Sequence, residues 1–144
     1  FNFTVDRAGS HQIMEYRESS YVPWGASQEE VLEDEEDHYD NGVENLKQFA
    51  KDPKQLAAFQ EIYDRVMPNC LKRAFGRLEG ADNDFCLTYG LKRNKTEDIV
   101  NRYLEEMRSH MEGTGLMFPP MSAFEAINCE LADSTKEILM SMQR

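Results

Sequence analysis

Cysteine is scarce in this 144-residue chain: Cys70, Cys86 and Cys129 are the full set. An odd number at wide spacing excludes a disulfide framework and fits reduced thiols. No apolar run approaches the roughly 18–20 residues that a membrane span needs. Neither the apolar segment of a secretory leader nor a polybasic anchor is recognisable. Basic charge is also short, with 16 Lys and Arg against 27 Asp and Glu, a formal net charge of −11. That balance disfavours DNA or an anionic membrane as a partner. There is no repeat at a period of about 30–45 residues, so a solenoid is not expected.

Catalytic and metal-binding motifs are missing as well. The chain has no Cys-x-x-Cys, His-Glu-x-x-His, Gly-x-Ser-x-Gly or phosphate-loop pattern. Placing Gly42 at the sixth position of a calcium loop puts Tyr39 and Gln48 where oxygen ligands belong, which rules that loop out. His38, Asp40 and the distant His110 have the residue types of an iron triad. Residues two apart on a helix face different sides, so solvated histidines are the expectation. No metal, no cofactor and no catalysis are therefore expected.

What the chain does have is acid, concentrated at the front. Residues 1–40 carry eleven acids and two bases, and residues 29–37 alone hold seven carboxylates. Residues 70–102 are mildly basic, with Lys72, Arg73, Arg77, Lys92, Arg93, Lys95 and Arg102. Internal pairing of this basic stretch with the acidic front helix is the simplest expectation. Hydrophobic content of 40% and aromatic content of 10% support a folded core in one domain.

Periodicity points to an all-α bundle of five or six helices over residues 27–144, preceded by an extended arm over residues 1–26. Phe1, Phe3 and Val5 alternate with polar residues at the strand period, and Pro23 and Gly25 break helix beyond Tyr21 and before and after Trp24. Ala8-Gly9-Ser10-His11 also has the composition of a cloning linker, which would make residues 1–7 a foreign peptide. Ser27 with Glu30 forms a capping box at the first helix start. Gly42 is a candidate break within that helix. Asp52-Pro53 is a second start signal. Asn94 and Ser122 head two further helices, each with Glu three residues on. Ile99, Tyr103, Met107 and Met111 form the cleanest amphipathic stripe.

These features favour a non-enzymatic interaction or adaptor domain with two contact surfaces. One is an acidic face of Glu29, Glu30, Glu33, Asp34, Glu36, Asp37 and Asp40, suited to a basic protein or peptide. The other is an apolar peptide groove lined by Tyr103, Met107, Met111, Leu116, Met117 and Phe118, although methionine-rich stripes are more often core. The arm, through Phe1, Phe3, Tyr21 and Trp24, is a candidate occupant of that groove and a route to self-association. The alternative function is an acidic mimic of nucleic acid that blocks a nucleic-acid-binding protein. An intracellular setting, cytoplasmic or nuclear, is expected ahead of a secreted one. The sequons at Asn2 and Asn94 shift that little.

Overall fold

The computed structural model describes residues 1–143 and is all-helical, with seven α-helices and no strand among those residues. They are α1 (Arg7–Arg17), α2 (Val22–Phe49), α3 (Pro53–Cys70), α4 (Ala81–Thr88), α5 (Thr96–Met111), α6 (Met121–Glu125) and α7 (Asp133–Met140). Wider π-helical turns precede α1 (Asn2–Asp6) and continue α3 (Leu71–Phe75). No helix is long and apolar enough to cross a membrane.

The largest departure from the sequence expectation is at the front. Residues 1–26 are not an extended arm; they form the first π turn, α1 and the start of α2. Phe3 is buried and its ring meets Tyr39, Phe59 and Tyr63. Ala8, Ser10 and His11, within the linker-like stretch, are also buried. The alternation of Phe1, Phe3 and Val5 that reads as a strand is accommodated on the π turn. The Thr4 carbonyl of that turn accepts the Tyr103 hydroxyl at 3.1 Å and faces the Cys70 thiol at 3.8 Å.

Two glycines explain why α1 and the π turn before it can lie so close to α2. A Cβ on Gly25 would stand 2.6 Å from the Arg17 carbonyl oxygen. A Cβ on Gly42 would stand 2.5 Å from the Phe3 backbone nitrogen. Neither breaks the helix; each is a point where another backbone presses against it. Pro23 falls in the first turn of α2, where a missing N–H costs nothing. The helix consequently starts before Ser27, whose hydroxyl donates to the Trp24 carbonyl instead of capping.

Further along, Asp52 caps α3 as its sequence predicts: Oδ1 accepts the Lys54 backbone N–H at 2.9 Å. Pro68 does not end α3, which runs on into the second π turn. Asn94 is not a cap for α5; its backbone and side-chain N–H groups bond Glu15 instead. The last expected helix is divided into α6 and α7, with Asn128 at φ 52° between them. α5 lies at the centre: Ile99, Val100, Tyr103, Leu104, Met107 and Met111 are all buried. α1 and α7 pack against it, while α3 contacts α2 and α6. Gln60 pins the loop after α5 by bonding both the carbonyl and the N–H of Met117.

Candidate interaction site

The acidic face is carried by one unbroken helix. Glu29, Glu30, Glu33, Asp34, Glu36, Asp37 and Asp40 are all exposed on α2. At 3.6 residues per turn they occupy a sector of about 160°, and at 1.5 Å per residue they span about 16.5 Å. None forms an ion pair among the described residues. The basic stretch is engaged elsewhere. Arg102 pairs with Glu15, and Arg93 pairs with Glu18 at 2.6 Å. Lys72 donates to the Ile127 carbonyl, and buried Lys92 donates to Asn83 and Thr96. Burial pushes the Lys92 amine below its ordinary range. Internal pairing thus occurs, but with α1 and the residue after it, not with the acids of residues 29–40.

Glu15 shows how α1 is held. It is almost fully buried, and burial opposes its ionisation. Donors from Asn94 and the Arg102 guanidinium outweigh that and hold its carboxyl below the usual range. A second ionic cluster joins α1 to α5. Glu106 accepts from Arg7 Nε at 3.0 Å and from His11 Nε2 at 2.7 Å. An ionised carboxylate only accepts, so the His11 proton sits on Nε2. Burial again opposes the charge, but the His11 and Arg7 bonds bring the Glu106 carboxyl down to about 2. The Arg7 guanidinium also lies 4.5 Å from the Tyr39 ring centre. The buried Tyr39 hydroxyl has no hydrogen-bond partner among the described residues, and burial followed by the Glu106 charge raises its pKa.

Sequence spacing associates His38 with Asp40 and His110. The structure instead sets His38 beside Asp6 and Glu35, with Nδ1 at 3.9 Å from each carboxylate. One ligand atom from each of the three lies within 4.8 Å of the others, a donor set of the kind that hard or borderline cations accept. Burial and the Asp6 charge raise the Glu35 carboxyl. His110 sits edge-on to the Tyr39 ring instead.

The expected apolar groove is not at the surface. Tyr103, Met107, Met111, Leu116 and Phe118 are core side chains, and Met117 is half-buried. The stripe on α5 is apolar because it faces the centre of the fold. Of the arm residues, Phe3 joins the core, Trp24 stacks on Tyr16 at 4.4 Å, and Phe1 and Tyr21 stay exposed. Two of the wider clefts open elsewhere. One, of about 700 Å³, lies between α4 and α5 and is lined by acids, including Asp84, Glu97 and Glu130. The other, of about 640 Å³, runs along α3 and its π turn and is mainly apolar. The Arg7–His11–Glu106 cluster lines neither. No known protein family, curated protein or solved structure matches the chain.

Proposed function

We propose that this domain is a non-enzymatic protein–protein interaction module that presents the acidic face of α2 to a basic partner. The observation that carries this is the state of the seven carboxylates. They are exposed, unpaired within the described residues, and supported on a helix whose other side is packed. Unpaired like charges on a rigid rod repel one another, and a basic partner relieves that repulsion on contact. Association of this kind is fast and weakens steeply with salt.

Nucleic-acid mimicry is the alternative, and the continuity of α2 through Gly42 favours it. Seven charges over about 16.5 Å leave six intervals of about 2.8 Å along the axis. Double-stranded DNA carries one per about 1.7 Å.

The test uses the full chain, because residues 1–26 belong to the folded core. Glu30, Glu33, Asp34 and Asp37 are replaced together with Lys, leaving Glu35 in its place beside Asp6. Immobilised native and reversed proteins are exposed to nuclease-treated lysate at low and high salt. A basic partner held only by the native protein, and only at low salt, is the expected result. Release of that partner by added duplex DNA assigns mimicry. Equal capture by both proteins, or none by either, removes α2 as the contact surface.

A further inference from the structure

We infer that the apolar groove along α3 docks an acidic amphipathic helix of a partner protein. This surface is separate from the acidic face and opposite to it in sign. Its apolar wall comes from Phe1, Val5, Val66 and Ala74, with Phe1 80% exposed. A phenylalanine that exposed, beside further apolar side chains, leaves a patch that gains by being covered.

The charge around the patch indicates what covers it. Arg65 and Arg73 both line the groove, and both are exposed. Neither forms an ion pair among the described residues. In a chain with 27 acids against 16 bases, two such guanidinium groups on one apolar strip run against the charge of the molecule. Each presents a planar fork of donors matched to a carboxylate.

Their spacing selects the shape of the ligand. Eight positions along a helix correspond to about 12 Å, shortened a little by the π turn. Carboxylates two turns apart on a partner helix span the same distance. Apolar residues three and four positions from each then fall between the arginines, facing Val66 and Cys70, with Ala74 just beyond Arg73. A single-headed amphiphile such as a fatty acid meets only one of the two arginines.

Amide chemical-shift titration of the isotope-labelled full chain tests this. The probe is a synthetic helical peptide with two glutamates two turns apart and a leucine pair between them. Controls are the same peptide with lysine for glutamate, and dodecanoate. The expected result is saturable shifts at Val5, Val66 and Ala74 with the glutamate peptide alone. Its Kd rises at least about tenfold in the Arg65→Glu/Arg73→Glu variant. Both side chains are exposed, so the variant's unfolding curve is expected to match the native one, and Arg65→Ala/Arg73→Ala serves as a second variant with a smaller loss. Absence of saturable shifts, equal shifts with the lysine peptide, or an unchanged Kd in both variants overturns the proposal. Stronger shifts with dodecanoate overturn it in favour of a small amphiphile. Shifts at these amides that grow with protein concentration alone overturn it in favour of a second copy of the chain.

Discussion

Replacing Gly42 with alanine sets two effects of opposite sign against each other. In an ordinary helix interior the change stabilises by roughly 0.8–1.0 kcal/mol, because alanine loses less backbone entropy. Here the new Cβ would stand 2.5 Å from Phe3 N, 2.8 Å from Phe3 Cα and 3.0 Å from the Asn2 carbonyl carbon. These are backbone atoms, so no rotamer change relieves the overlap. The π turn has to retreat, drawing the Phe3 ring away from Tyr39, Phe59 and Tyr63 and the Thr4 carbonyl away from Tyr103. Overpacking of this kind costs about 1–3 kcal/mol, and partial exposure of a phenylalanine adds to it. The net expectation is a loss of about 1–2 kcal/mol, seen as a Tm lower by roughly 2–8 °C. Urea unfolding followed by helical and aromatic circular dichroism measures it. A Gly42→Ala protein as stable as the native one, or more stable, would refute the close packing of the π turn on α2. The double variant with Phe3→Ala gives a second check. If the clash acts through Phe3, the double variant loses less than the sum of the two single losses.

Glu106→Gln removes the charge that Arg7 and His11 share. A carboxyl at about 2 when folded and near 4.5 when unfolded binds more protons unfolded between those values. Its contribution is therefore full above about pH 4.5 and lost as pH falls through about 2. The shift corresponds to about 3 kcal/mol at neutral pH, or about 2 once partial exposure is allowed for. The stability difference from native should shrink to less than half by about pH 3; a difference independent of pH would count against the pairing. Cys70, whose thiol burial pushes up to about 11, should resist thiol reagents at mildly alkaline pH until urea is added. Labelling in the native state would contradict its burial. Asp52→Ala should cost about 1 kcal/mol and Ser27→Ala less than about 0.5, since only the first residue caps a helix. Equal losses in the two unfolding curves would contradict those helix starts.

Local signals were legible where one residue and its near neighbours decide the structure. Asp52-Pro53 is such a case, and so is the α5 stripe, whose spacing reports burial directly. The stripe could not report what it was buried against, which is why a core face resembled a groove. The front of the chain was obscured because Pro23 and Gly25 have two physical uses. As isolated residues they break helices; at a helix start and at a crossing they permit them. Only the position of Arg17 above Gly25 distinguishes these uses, and that contact is tertiary. The Arg7–His11–Glu106 cluster joins residues 95 and 99 positions apart, and no spacing rule connects them. The acids of α2 were plain from composition. Their lack of partners was not, because it depends on Glu15 and Glu18 having taken Arg102 and Arg93.

The anchoring of the first π turn and α1 also sets an order of events during synthesis. Thr4, Arg7 and His11 leave the ribosome ahead of Tyr103 and Glu106, which follow some 95–99 residues later. At about 5–20 residues per second, that is an interval of roughly 5–20 s. Through it the Thr4 carbonyl, Arg7 and His11 lack their partners on α5, although α2 and α3 can already be helical and offer Tyr39, Phe59 and Tyr63 to the Phe3 ring. Closure of the fold therefore waits on α5, and until α5 is made the α1 side of the ionic cluster stays open. That interval is where chaperone protection would matter most, and where a slow codon before residue 103 would prolong the exposure.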